Sequence, residues 1–508
     1  MSRDSVGGGG AKRGRDLSCA PTLGDAARAM SADLDGDAAA TFARVSTDSR
    51  TASPGDLFFC LRGPTFDGHA FIAAVSDAGA AGVVCERTQG SAARAAIERT
   101  SAAIERAGAA RAATGMTAVL EVDDTLHALG DLAAWYRGGF DGPLVGITGS
   151  NGKTTTKEML RAIFLAHFGE GRVLATQGNL NNLIGVPLTI FGLAPAHAAA
   201  VIEMGMNVPG EIARLTEIAA PTVGLITCVA EAHLEGLGSI EGVARAKGEL
   251  FEGLPASSVA VVNVDDANIV REASRFAGRR LTFGSTGEVR ASDLHGGRID
   301  SSSFDLSFAA GREHVELPLG GRHNVQNALG AAAAALAAGV PLATIARGLS
   351  AMKPPPMRMS AELLASGVIL VNDAYNANPG SLGAALDTLG GLDARRIVVI
   401  GDMLELGPRA AALHRRVGEQ AAAIAPVLLC AYGGFAADVA AGAAAAGLDA
   451  SRIRVCARHE NAAAEVARVW LPGDAVLVKG SRGSAMEKVV DALRTLAQPG
   501  AAAAGARS

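Results

Sequence analysis

The run GITGSNGKTTT at 146–156 constrains this chain more than any other stretch. The apolar PLVGI precedes it, and KEMLRAIFLAHF follows with apolar positions at helical spacing. A strand, a glycine-rich turn and a helix beginning near Lys153 therefore succeed one another. Gly149 and Gly152, with Ser150 and Asn151 between them, let backbone N–H groups close around phosphate oxygens. The helix N-terminus adds partial positive charge and Lys153 a full one. Thr154 offers a hydroxyl to a divalent cation, and Thr155 carries the loop into the helix. The spacing departs from the strict G-x-x-x-x-G-K pattern, because Ile147 stands where the first glycine would be. The bland alternative is a tight strand-to-helix turn that merely contains GKT. With strand, loop and helix in place, the run points to nucleoside triphosphate chemistry and leaves the reaction open.

The same alternation extends along the chain. DLFFCLRG and AGVVCE read as strands in the first quarter, AAVIEMG, TVGLITCV and SVAVVNVD in the middle, and GVILVNDA, RRIVVIGD, PVLLCAY, SRIRVCA and AVLVKG in the last part. Strands separated by helical patterns predict an α/β fold with mostly parallel sheets. At 508 residues the chain exceeds one compact core, since a domain holds about 100–200 residues. The expected division is a disordered tail at 1–16, an N-terminal α/β domain at 17–141, a central P-loop domain at 142–355 and a C-terminal Rossmann-like domain at 356–508. The prolines of MKPPP at 352–356 make a stiff linker before the last domain. No G-x-G-x-x-G follows its first strand, so no nicotinamide cofactor is expected. QPGAAAAGARS reads as a loose tail, and 91–113, where AAIER recurs seven residues on, as a surface helical insertion with Ile97 and Ile104 on one side. A partner-binding helix is the alternative reading there.

Six scattered cysteines, none in a C-x-x-C pair, suit a reducing compartment. No secretory signal and no apolar run near the roughly 20 residues of a membrane span is visible. A cytoplasmic protein acting as a monomer is expected. The formal charge of −5 gives no reason to expect nucleic-acid binding.

Further blocks stand in order along the chain: GNLNNLIGVP at 178–187, EMGMNVPGEI at 203–212, EAHLEGLGS at 231–239, AKGELF at 246–251, GRHNVQNALGA at 321–331, NDAYNANPGS at 372–381, GDMLELG at 401–407 and LVKGSRGSAMEKVV at 477–490. With the phosphate loop they resemble the Mur ligase family, over residues 45–490. GNLNN, DAYNANPGS, GDMLELG and KGSRGSAME are similar to the branch that joins D-alanyl-D-alanine to a UDP-linked muramoyl tripeptide. STDSRTASPGDLFFCLRG is shared with the branch that adds the third residue, but the Asp-Asn-Pro-Arg signature of that branch is absent. The family carries glycine before the arginine after the linker; here Met357 precedes Arg358. If that position takes φ > 0, Met357 is strained.

The resemblance implies ATP and Mg²⁺, an acyl-phosphate intermediate and small-molecule substrates. It makes Lys153, Lys247, His233 and Arg358 catalytic, with Thr154, Glu203, His233 and Lys247 at the metal. Lys247 falls where the family carries a carbamylated lysine; a plain surface lysine is the alternative. The alternative for Glu203 is a solvated strand-end acid, and for His233 a structural histidine. Gly149, Ser150, Asn151, Gly152, Lys153, Thr154, Thr155, Asn179, His323, Asn324 and Asp373 would contact ATP, with Asn327 beside them and Asp373 at the ribose. Asn179, Asn181 and Asn182 either hold turn geometry or bond γ-phosphate and substrate. Thr47, Asp48, Ser49 and Arg50, with Gly68 and His69, match the uridine-diphosphate contacts, or else form a turn held by Asp and Ser side chains. Asn376 and Asn378 would line the dipeptide cleft, and Lys479, Ser481 and Arg482, at a strand C-terminus, could meet the dipeptide carboxylate. A P-loop GTPase or transport ATPase would need guanine-reading motifs or partner domains, and none is present. A non-catalytic scaffold does not explain GKTT, Glu203 and Lys247 together.

Overall fold

The computed structural model describes residues 14–106, 116–295 and 298–498. The expected tail at 1–13, the end of the 91–113 segment and the C-terminal run beyond 498 lie outside the described residues. The chain divides into two compact units. One takes the chain up to Leu144 with Leu174–Met204 and Arg214–Ala220; the other takes Val145–Val173, Gly205–Ala213 and the chain from Pro221 onwards.

The first unit is built on a five-stranded sheet in the order Asp33–Asp35, Ala118–Val122, Gly82–Glu86, Asp56–Phe59, Arg44–Ser46. All neighbours are parallel except the first pair, where Asp33 faces Glu121. Both faces of the central strands are buried, which explains the continuous apolar runs FFC and GVVC. The expected helix with a narrow apolar stripe is present as Gly90–Arg106; the correction is that its stripe packs into the core of this unit. Ala93 and Ile97 are 1% and 2% exposed and join Phe58, Cys60, Val83 and Cys85 in one core cluster. The buried stripe includes Ala93, Ile97 and Ser101, at four-residue spacing. A second correction concerns Arg15: its N–H donates to the Trp135 carbonyl at 3.1 Å and its guanidinium lies 4.2 Å from the Tyr136 ring. Residues 14–16 are therefore not a loose tail.

The segments 174–204 and 214–220 belong with this unit through the helix Thr125–Arg137. Tyr136 packs edge-on against Phe191 at 4.9 Å, Arg137 Nε donates to the Ala219 carbonyl at 2.7 Å, and Arg214 pairs with Asp131 at 2.7 Å.

In the second unit, four parallel strands lie in the order Arg279–Phe283, Val259–Asn263, Val223–Ile226, Leu144–Thr148, the last of them opening at the unit boundary. The helix Lys153–Phe168 packs on the helices Arg322–Ala337 and Leu342–Ser350. Small residues allow this: Ala328 and Ala331 to Ala335 are fully buried. The strands Arg290–His295, Ser302–Phe308 and Gly311–Leu317 form an antiparallel meander that the alternating reading did not anticipate.

The C-terminal sheet runs Ser360–Leu363, Ile369–Asp373, Ala475–Lys479, Arg396–Ile400, Leu428–Tyr432, Ile453–Cys456. The first strand is an antiparallel edge and the other five are parallel. The last parallel strand in sequence, Ala475–Lys479, lies between the first two. This reversal of order places three connecting loops at adjacent strand C-termini, where open α/β sheets hold ligands. Those loops carry DAYNANPGS, KGSRGSAME and GDMLELG.

Candidate active site

Gly149 and Gly152 bracket the phosphate loop with φ of +150° and +81°. A Cβ at Gly149 would collide with Thr227 Oγ1, and one at Gly152 with Asn327 Oδ1. Only glycine fits either place. Hydrogen bonds fix the rest of the loop: Ser150 N–H donates to the Cys228 carbonyl at 2.8 Å, Ser150 Oγ exchanges bonds with the backbone of Ala230, and Thr227 Oγ1 donates to the Asn151 carbonyl at 2.5 Å. Lys153 curls back over the loop, its Nζ donating to the Gly149 carbonyl at 2.6 Å. The ammonium thus already overhangs the space that backbone N–H groups surround. Thr155 is buried at the start of the helix.

Lys247, on the helix Ile240–Glu252, is 1% exposed, which overturns the surface-lysine alternative. Burial first, and the charge of Lys153 second, press its ammonium well below the ordinary lysine range; the Cys228 thiol acts in the opposite sense. The amine is thereby biased to its neutral form. Glu203 closes the strand Ala199–Glu203 at 2% exposure, so it is not a solvated acid. Asn181 Nδ2 donates to its Oε1 at 2.8 Å, and its backbone N–H donates to Thr176 Oγ1 at 2.9 Å. The three asparagines separate in role. Asn182 Oδ1 accepts the N–H groups of Ile184 and Gly185 and holds the turn, Asn181 faces Glu203, and Asn179 is exposed.

His233 takes φ +53° at the start of the helix Leu234–Leu237, with Nδ1 2.7 Å from Glu405 Oε2. His323 is pushed below the ordinary histidine range by burial, beside Asp373, Lys479 and Asp387. Asn327 Nδ2 donates to Asn324 Oδ1 at 3.3 Å, and Asn324 Nδ2 to the Gly320 carbonyl at 2.8 Å, which sets this pair next to Gly152.

Two bonds tie the C-terminal sheet to the phosphate loop. Arg358 Nη2 donates to Thr154 Oγ1 at 2.9 Å, and Asn378 Nδ2 donates to Asn151 Oδ1 at 2.7 Å. Asn378 also caps the helix Pro379–Gly390, and Asn376 is exposed beside it. Met357 does take positive φ, +57°, and its carbonyl accepts from Tyr375 N–H at 3.2 Å.

Three residues of this layer have partners within the fold. Asp373, expected at a ribose, accepts from Met359 N–H at 3.1 Å on one oxygen and from Lys479 Nζ at 2.6 Å on the other. Lys479, expected at a carboxylate, is buried and also donates to the Asn376 carbonyl at 2.8 Å. Ser481 donates to the Ala377 carbonyl at 3.0 Å and accepts from Leu404 N–H at 2.9 Å. Arg482, 60% exposed at its side chain and 3.4 Å from Glu487, is the cation of this loop that faces solvent.

In the first unit Asp48 caps the turn Ser49–Thr51, accepts Arg50 N–H at 3.0 Å and pairs with its guanidinium at 2.7 Å. That pairing draws the Asp48 carboxyl down to about 2. Thr47 and Ser49 are half-buried, and Arg50 is exposed. His69 has a fixed tautomer: Nε2 accepts Glu86 N–H at 3.1 Å, so Nδ1 carries the proton toward Asp67 at 2.6 Å. A Cβ on Gly68 would press to 2.8 Å from Leu61 N.

Sequence reasoning missed Glu405, Glu231, Arg409 and Arg416. Glu405 stood inside the quoted GDMLELG and Glu231 at the head of EAHLEGLGS, but neither run says which side chain meets which.

Family models match the chain in three consecutive stretches: the Mur ligase family catalytic domain at 41–137, the Mur ligase middle domain at 147–335 and the Mur ligase glutamate ligase domain at 357–482. The chain belongs to the Mur ligase family. This Mur ligase is 37% identical over 479 residues to the UDP-N-acetylmuramoyl-tripeptide--D-alanyl-D-alanine ligase of Escherichia coli K12, covering 93% of the chain and 98% of that protein. It superimposes on MurF from Acinetobacter baumannii with a TM-score of 0.82 at 31% identity, covering 94% and 100% of the two chains. It also superimposes on MurF from Thermotoga maritima, crystallised with ADP, with a TM-score of 0.75 at 26% identity, covering 89% and 97%. Three domains of mixed α/β structure with mostly parallel sheets are common to this comparison.

Proposed function

We propose that this Mur ligase joins D-alanyl-D-alanine to a UDP-N-acetylmuramoyl tripeptide at the expense of ATP, giving the pentapeptide precursor of peptidoglycan, ADP and phosphate. The observation that carries the reading is the full-length likeness to ligases of that reaction, at 37% identity over 93% of the chain. The bonds that bring Arg358 and Asn378 to the phosphate loop support it. Domain boundaries near 141/142 and 355/356 are part of the same proposal.

In this reading Gly149 to Thr155 cradle the triphosphate, and His323, Asn324 and Asn327 flank the nucleotide. Thr47, Asp48, Ser49, Arg50, Gly68 and His69 serve the UDP end of the precursor. The tripeptide carboxylate attacks the γ-phosphate, giving an acyl phosphate and ADP. Lys153 neutralises charge on the transferring group, and Arg358 reaches the same loop through Thr154. The dipeptide amine then attacks the acyl carbon and phosphate leaves. An α-amine has a pKa of about 7.7–8.0, so no strong dedicated base is needed. Arg482, and Asn376 and Asn378 nearby, suit the dipeptide end.

The donor set fits a cation delivered with the nucleotide. Among the described residues no three His, Cys, Asp or Glu side chains gather into a cage. Mg²⁺ keeps waters and phosphate oxygens and needs only one or two protein groups. Thr154, His233 and a carbamylated Lys247 are the groups that would hold it, and it would neutralise phosphate charge there. The depressed Lys247 amine is the form that reacts with CO₂. Among the described residues no helix is long and apolar enough to cross a membrane. A cytoplasmic monomer acting on small molecules accords with this reading.

The test is substrate choice read by product mass. The protein, ATP and Mg²⁺ are offered UDP-muramoyl tripeptide or shorter precursors, each with single amino acids or D-alanyl-D-alanine. The reading expects the tripeptide to gain one dipeptide less water. Growth of a shorter precursor by a single amino acid would overturn it.

A further inference from the structure

One short segment, Glu231 to Glu235, receives the loop that follows the strand Arg396–Ile400. His233 and Glu405 meet at 2.7 Å, Nδ1 to Oε2, and both hold left-handed backbone, at φ +53° and +63°. Gly407, at φ +58°, approaches so closely that an added Cβ would stand 3.3 Å from Glu235 Cα. Glu231 then takes two cations from beyond the loop, Arg409 at 3.0 Å and Arg416. Three separate contacts thus seat GDMLELGPR on EAHLE. Non-glycine residues rarely adopt φ > 0 without some surrounding structure that holds them there. Here two such residues face each other through their side chains.

The consequence lies in the imidazole. A ring whose Nδ1–H donates to a carboxylate presents Nε2 as a lone pair. A histidine that binds a cation is commonly oriented in this way by a partner on its other nitrogen. We propose that Glu405 is a positioning residue for His233. It fixes the tautomer and rotation of the ring so that Nε2 faces the cation accompanying ATP, and the Glu231–Arg409–Arg416 cluster holds Glu405 in reach. The C-terminal sheet therefore contributes to the metal site without a ligand of its own. The inference rests on the reading of His233 as a ligand.

The experiment is Mn²⁺ binding to the full-length protein in the presence of ADP, followed by the loss of the free-ion electron paramagnetic resonance signal. Wild type is compared with Glu405→Ala, Glu405→Gln, His233→Ala and the double variant His233→Ala/Glu405→Ala. ADP affinity without metal and thermal midpoint serve as controls for folding. Loss of an outer-sphere partner costs metal affinity about 10–100-fold. Glu405→Ala is expected to weaken Mn²⁺ by that factor with metal-free ADP affinity unchanged. Glu405→Gln, whose amide oxygen still accepts from Nδ1, should recover much of it. In the His233→Ala background, Glu405→Ala should add nothing. If His233→Ala weakens Mn²⁺ and Glu405→Ala does not, the positioning role is overturned while the ligand reading stands. A Glu405→Ala effect that persists without His233 also overturns it. If His233→Ala leaves Mn²⁺ affinity unchanged, the ligand reading fails and takes this inference with it.

Discussion

Arg358 donates from Nη2 to Thr154 Oγ1 at 2.9 Å, joining the segment after the proline run to the first turn of the phosphate-loop helix. Its guanidinium also lies 4.2 Å from the Tyr375 ring centroid. A planar fork that stacks and donates at once is specific to arginine. Arg358→Ala should lower kcat at least ~100-fold, the cost of removing one preorganised charge-stabilising donor. Arg358→Lys should rescue little, because an ammonium does not stack and donate in the same geometry. Steady-state kinetics decide this; a lysine variant with near-wild-type turnover would contradict it.

Met357 sits beside Arg358 with φ +57°. A left-handed non-glycine residue costs roughly 1–2 kcal/mol. Met357→Gly should therefore stabilise the fold by about 1 kcal/mol, less whatever is lost from chain entropy. A thermal midpoint raised by about 1 °C is the expected signature for a chain of this length. A lowered midpoint would mean that the thioether, 3.9 Å from Arg482 Nη1, outweighs the backbone strain.

Lys247 makes a pH-dependent contribution whose sign follows from its surroundings. Burial and Lys153 hold its folded-state pKa well below the ordinary 10.5. Between those two values the unfolded chain binds more protons than the folded one, so stability rises with pH through that window. Lys247→Met should remove this rise, measured as unfolding midpoints across alkaline pH. Lys247→Arg should keep the fold and lose most activity, since a guanidinium cannot form the carbamate. Full activity in that variant would sink the proposed role.

Lys479 distinguishes a structural from a substrate role. Its ammonium pairs with Asp373 at 2.6 Å, with the two side chains 3% and 11% exposed. Removing one partner of a buried pair costs about 3–5 kcal/mol, because the other charge is left uncompensated. Lys479→Met should destabilise the protein by that amount in denaturant unfolding. A variant of unchanged stability and raised KM for the dipeptide would restore the carboxylate-binding role.

The parallel strands were legible because burial on both faces leaves continuous apolar runs, as in Arg396–Ile400 and Ala475–Lys479. The meander at 290–317 was passed over, although Phe304, Leu306, Val315 and Leu317 alternate in sequence and are fully buried. The signal was there in period two; an expectation of helix after strand hid it. The phosphate loop could be read from residue types alone, since its chemistry is backbone and local. Lys247 could not, because AKGELF gives it a helical position but not the tertiary cover that removes its solvent. Lys479 and Ser481 were read as ligand groups from their place at a strand end, and Asp373 from the family resemblance; their partners within the fold were not legible. Their inward bonds depend on neighbouring strands distant in sequence. Glu405 was missed for the same reason, its partner lying in another domain.

The most direct test of the account is phosphate release from ATP and Mg²⁺ in the presence of UDP-muramoyl tripeptide, with and without D-alanyl-D-alanine, for wild type and Lys153→Ala. The account predicts release that depends on the dipeptide and falls at least ~100-fold in the variant. Release without the dipeptide at the same rate, or wild-type turnover in Lys153→Ala, would contradict it.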